Sequence, residues 1–111
     1  MQIQVRGDDS INQQALTYAE YRLFAAVSEV FDVGRVHRAN LELRSVEREE
    51  GCPVVHCVAT VDVVGGERLH VSTRDAHPYA AINRAVEWIR DHKQRIRINR
   101  ARETDDRRVL S

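Results

Sequence analysis

The segment from residue 55 to residue 74 constrains the fold more than any other. Val55, Cys57, Ala59, Val61 and Val63 alternate with His56, Val58, Thr60 and Asp62; Gly65-Gly66 follows; then Leu69, Val71 and Thr73 alternate with His70, Ser72 and Arg74. A two-residue period places each set on one face of a pleated strand, so the segment reads as an antiparallel hairpin with one apolar and one wet face. If both inward sets share a face, opposed residues have numbers of even sum, and the connecting loop holds an odd number of residues. The reading that follows is a three-residue loop, Gly65-Gly66-Glu67, with Asp62 facing His70. The apolar face must be covered by other elements, and 111 residues suffice for one two-layer core but not for a second domain.

The flanking sequence supplies that cover. Ile3 and Val5 alternate with Gln2, Gln4 and Arg6, which predicts a short first strand ended by Gly7-Asp8-Asp9. Ser10 and Gln13 fit a capping box, and Leu16, Ala19, Leu23, Val27 and Val30 recur at helical spacing, predicting a helix over about residues 10 to 31. Ala39, Leu41, Leu43 and Ser45 alternate with Arg38, Asn40, Glu42 and Arg44 as a second strand, closed by a charged loop from Glu47 to Gly51. After the hairpin, Asp75-Ala76-His77-Pro78 opens a second helix, along which Tyr79, Ile82, Val86, Ile89 and Ile96 keep helical spacing. A right-handed crossover makes the first two strands parallel neighbours, the next three strands form an antiparallel meander, and both helices cover the single apolar face. The predicted architecture is an α+β, βαβββα two-layer sandwich over residues 1 to 103, with 104 to 111 as a frayed tail. The other sheet face carries Gln4, Arg38, Asn40, Glu42, Arg44, His56, Thr60, Asp62, His70 and Arg74, a solvated set of mixed sign.

Charge and cysteine usage exclude several classes. There are 17 cations and 17 acids, and 16 of the cations are arginine. The balance is uneven: residues 90 to 111 hold 8 cations against 4 acids, so the basic charge gathers at the C-terminal end. No apolar run approaches the length of a membrane span, and the opening Met1-Gln2-Ile3-Gln4 lacks a signal pattern, which together predict a cytoplasmic protein. Two cysteines are too few for a disulfide scaffold.

Several runs resemble the ribosome hibernation promoting factor family, also called ribosome-associated inhibitor A or sigma-54 modulation proteins. They are Met1-Gln2-Ile3-Gln4-Val5-Arg6-Gly7, the spacing from Ala15-Leu16 to Phe31-Asp32, the hairpin Gly65-Gly66-Glu67, and above all Pro78-Tyr79-Ala80-Ala81-Ile82. The resemblance covers about residues 1 to 100 and is that of a divergent, short-form member. It implies a double-stranded-RNA-binding-domain-like sandwich and a non-enzymatic role: a stress-response factor on the small ribosomal subunit, against 16S rRNA and neighbouring ribosomal proteins in the mRNA and tRNA channel, silencing translation. Family members usually line the first helix with lysines; here Tyr21-Arg22-Leu23-Phe24-Ala25-Ala26-Val27 keeps only Arg22.

The residues that would carry RNA contact are cationic. Arg90, Lys93, Arg97 and Arg100 recur at helical spacing as one stripe on the second helix, suited to a phosphate backbone or, as the plainer reading, to the negative end of the helix dipole. Arg84 and Arg95, with Arg102, form a second row near Glu87 and Asp91, and Arg22 could flank the stripe. The rRNA-binding set is therefore Arg22, Arg84, Arg90, Lys93, Arg95, Arg97 and Arg100. The wet sheet face carries no Phe, Tyr or Trp, which argues against base stacking, and Trp88 is read as a core-edge residue. Cys52, His56, Cys57 and His70 are ligand types that zinc accepts, but they alternate in direction and no C-x-x-C pair exists, so Cys57 is read as a core residue. Asp62 and His70 make a solvated pair rather than a catalytic one, for want of a nucleophile and a pocket. No cofactor, metal, small-molecule substrate, membrane or catalytic residue is expected. A homodimer stays open, as does the alternative of a protein-interaction or self-associating module without ribosome affinity.

Overall fold

A computed structural model describes residues 1 to 47, 51 and 53 to 92. Four strands, β1 (Gln2–Gly7), β2 (Val36–Glu47), β3 (Pro53–Val63) and β4 (Arg68–Asp75), form one sheet in the order β1-β2-β3-β4. β1 is parallel to β2, and the other pairs are antiparallel. The helices are α1 (Gln13–Val30) and α2, which spans 78 to 92 within the described residues. This is the α+β two-layer sandwich that the alternation patterns predict.

Both helices lie on one side because only one sheet face is apolar. Leu23, Ala26 and Val27 of α1 and Ile82, Val86 and Ile89 of α2 share a core with Leu41 and Leu43 of β2 and Cys57, Ala59 and Val61 of β3, all essentially sealed from solvent. Burying a Leu or Ile side chain of this kind contributes roughly 1.5–3 kcal/mol. The helices run alongside each other in the same direction: Tyr18 donates its hydroxyl to Asn83 Oδ1 at 2.7 Å and packs edge-on against Tyr79, while further along Arg90 meets Glu29. Tyr79 therefore sits on the flank of α2, 39% exposed, rather than in the buried arc to which its spacing assigns it.

Local departures from the sequence reading have local causes. α1 begins later than its capping-box signal: Asn12 is the N-cap, its Oδ1 accepting from Ala15 N at 2.8 Å. Ser10 is taken by Asp8, whose Oδ1 accepts from both its backbone N and its hydroxyl, and the other carboxylate oxygen accepts from Ser45 N at 2.8 Å. Asp8 thus ties the end of β1 to the end of β2, and these hydrogen bonds hold its carboxyl below the usual aspartate range. β2 starts earlier than its alternation suggests. A bulge between Val36 and Arg38 inserts His37 as an extra residue and reverses the phase, so Val36 turns inward at 3% exposure.

The hairpin has the expected odd loop but one residue earlier. Val63 N donates to Glu67 O at 2.8 Å and Gly66 N to Val63 O at 3.2 Å, leaving Val64-Gly65-Gly66 as the loop. Gly65 and Gly66 have φ of +101° and +87°, conformations that a Cβ disfavours, so the glycines must occupy these positions and Val64 is drawn into the turn. The register shifts accordingly: Asp62 faces Arg68, and His70 faces Thr60.

Candidate nucleic-acid interface

The predicted cations divide into those the described structure engages and those beyond it. Lys93, Arg95, Arg97, Arg100 and Arg102 lie outside the described residues, as do Ile96, Cys52 and the tail from 104 to 111. Arg22, Arg84 and Arg90 lie within them and do not gather into one cluster. Arg22 projects from α1 half-buried, its Nε shielded from solvent with no hydrogen-bond partner among the described residues. Arg84 turns toward the β4 edge, where Nη1 donates to Arg74 O at 3.3 Å and Nη2 lies 3.6 Å from Asp75. Arg90, the first residue of the predicted stripe, pairs with Glu29 of α1 at 3.0 Å. The predicted stripe therefore begins at a helix–helix ion pair.

Asp75 belongs to β4 and accepts from His77 N at 3.2 Å, making the turn that sends the chain into α2. Ala81 N donates to His77 O, which starts the helix. Thr73 Oγ1 donates to Ala81 O at 2.7 Å and fastens this first turn to the sheet. Trp88 packs against the core at the helix edge and stacks on His92 with ring centroids 6.2 Å apart; Phe31 meets the same imidazole from α1. These rings join the C-terminal end of α1 to the last described turn of α2.

The outer surface of α1 carries a feature that the charge-based reading passed over. Tyr21 and Phe24 are 71% and 50% exposed, on the helix where only Arg22 supplies a cation. The recurrence of Tyr18, Tyr21 and Phe24 at every third position marks the residues in the sequence, but which of them face outward is decided by packing.

The groups singled out for other chemistry do not converge. Asp62 pairs with Arg68 at 2.5 Å, and His70 Nδ1 lies 3.4 Å from Thr60 Oγ1, so the expected Asp62–His70 contact is replaced. Cys57 is fully buried opposite Thr73, and burial pushes its thiol up to about 12, the behaviour of an inert core cysteine. Among the described residues no group of three His, Cys, Asp or Glu is placed to hold a metal, and no helix is long and apolar enough to cross a membrane.

A scan of protein-family models finds no match, and a search of curated protein sequences finds none either. Among solved structures, that of a ribosomal subunit interface protein from Coxiella burnetii matches with a TM-score of 0.62 over 88% of this chain and 99% of that one. The two chains are 10% identical, so the likeness is one of fold: the same arrangement of sheet and helices built from largely different residues.

Proposed function

We propose that this protein is a ribosome-associated, non-enzymatic factor that lodges in the mRNA and tRNA channel of the small subunit and silences translation in the cytoplasm under stress. The observation that carries the proposal is the agreement in fold, over nearly the full length of both chains, with a protein described as a ribosomal subunit interface protein. The runs around Met1 and Pro78-Tyr79-Ala80-Ala81-Ile82 support it independently. The channel is lined by 16S rRNA, and recognition there rests on shape and phosphate contact. Arg90 and, beyond the described residues, Lys93, Arg95, Arg97 and Arg100 supply the cations, with Arg22 and Arg84 as flanking contacts.

Co-sedimentation with purified small subunits and whole ribosomes across a salt series tests the proposal. Near-stoichiometric binding that falls with salt is expected. Charge reversal of Arg90, Lys93 and Arg97 together should weaken binding and flatten its salt slope by about 0.9 for each lost phosphate contact. Absence of binding even at low salt would refute it. Exposed Tyr21 and Phe24 favour a second reading, a protein-interaction or self-associating module. Under that reading, Tyr21→Ser with Phe24→Ser would abolish association and the charge reversal would leave it unchanged.

A further inference from the structure

The pairing register lays out the open sheet face, the one opposite the helices, as a grid. At one end Arg38, Asp62 and Arg68 stand side by side on β2, β3 and β4. At the other end stand Arg44, His56 and Arg74. Between them lie a neutral row, Gln4, Asn40, Thr60 and His70, and a row in which Arg6 faces Glu42. The two cationic ends are six residues apart along the strands, roughly 20 Å at about 3.3 Å per residue.

The face is cationic in a way the whole-chain balance hides. It presents five arginines, Arg6, Arg38, Arg44, Arg68 and Arg74, against two acids, Glu42 and Asp62, with Asp8 at one corner. Glu42 and Asp62 are each neutralised, by Arg44 at 2.6 Å and Arg68 at 2.5 Å. Arg6, Arg38 and Arg74 are exposed, and among the described residues their guanidinium groups have neither an ion pair nor a hydrogen bond. The described parts of the helices show the opposite: Glu20, Glu29, Glu87 and Asp91 outnumber Arg22, Arg84 and Arg90, and two of these arginines are held by internal partners. Long arginines around the short neutral row leave a depression bordered by Arg6 and Arg38, and on it Asn40 Oδ1 has no donor.

We infer that the open sheet face is a second RNA surface, which binds the phosphate backbone of double-helical RNA through Arg6, Arg38 and Arg74. The inference rests on the ribosomal reading and adds a contact on the side away from the helices. A protein partner fits less well, because the face offers only half-buried Val58 as an apolar anchor along its middle rows, and protein interfaces build their cores from apolar and aromatic groups. Single-stranded RNA also fits less well, since the face offers no Phe, Tyr or Trp for bases to stack on. Planar guanidiniums and a neutral hydrogen-bonding row between cationic ends suit a duplex, whose backbone and 2′-hydroxyls are read by shape.

The test is fluorescence anisotropy of a labelled 20-base-pair RNA duplex of mixed sequence with the full chain, over a salt series. Replacing three guanidiniums, as Arg6→Gln, Arg38→Gln and Arg74→Gln, should weaken binding on the order of a hundredfold at 0.1 M salt and flatten the salt slope by about 2 to 3. Arg35→Gln, at an exposed arginine outside this grid, should bind as the unmutated protein does. NMR titration of the unmutated protein with the same duplex keeps the test valid if a variant misfolds: amide shifts should concentrate in residues 38–44 and 56–62. Shifts confined to the helices, or unchanged affinity of the Arg6→Gln, Arg38→Gln and Arg74→Gln variant, would overturn the inference while leaving the ribosomal reading intact. Equal affinity for poly-glutamate would overturn it in favour of an acidic protein partner.

Discussion

Glu29 restrains the residue expected to meet RNA, so Glu29→Gln should raise affinity while slightly lowering stability. The Arg90–Glu29 pair is separated by 3.0 Å, with the two side chains 38% and 58% exposed. In bulk water, two unit charges at that distance attract by about 1.4 kcal/mol. Salt screening and the ordering of two long side chains reduce such surface pairs to about 0.2–1 kcal/mol. The loss of stability should therefore stay below about 1 kcal/mol, a urea midpoint shift of less than about 1 M. Binding should move the other way. Freeing one cation adds up to about 0.9 to the salt slope, so between 0.05 and 0.2 M salt the binding constant should fall about 3.5-fold more steeply than for the unmutated protein. The assay is co-sedimentation with small subunits at four or five salt concentrations, beside urea unfolding of the free protein. An unchanged slope would show that Arg90 makes no phosphate contact. Weaker binding would show that Glu29 holds Arg90 in its binding position, and either result refutes the reasoning.

Other expectations follow from single environments. Gly65→Ala, at φ +101° with no atom near the added Cβ, should cost about 1–2 kcal/mol from backbone conformation alone. Gly34→Ala, equally unhindered but outside the positive-φ range, should be neutral or stabilise by about 0.4–1 kcal/mol; denaturant midpoints separate the two. Leu23→Ala, at a fully buried site, should cost about 2–5 kcal/mol in the same measurement. Cys57, fully buried with its thiol raised to about 12, should react with a thiol reagent only as fast as the protein opens, and at the ordinary rate in denaturant. The Asp8 carboxyl is lowered in the folded state, so its contribution is present above the unfolded value near 3.9 and is lost as pH falls through the folded value. Acid unfolding of Asp8→Asn should lack that part of the transition.

The sequence by itself determined the strand and helix order, most of the residues that face the core (Tyr79 and Val36 being exceptions) and the odd parity of the hairpin loop. These follow from two local periods, two residues for Leu41, Leu43, Cys57 and Val61 and about 3.6 for Leu23, Val27, Ile82 and Val86, and each period is written into consecutive residues. It did not determine which odd loop forms, because parity is satisfied by either; the positive φ values of Gly65 and Gly66 select Val64-Gly65-Gly66. Nor did it separate Ser10 from Asn12 as the cap, since both are good capping residues and only the distant Ser45 N recruits Asp8 and, through it, Ser10. The cationic residues were legible as types, but their freedom was not. Arg90 is held by a glutamate on another helix, while Arg6, Arg38 and Arg74, scattered over three strands, are brought onto one face with no partner among the described residues. Charge acts across space rather than along the chain, so tertiary structure alone decides which cations remain available to an anion.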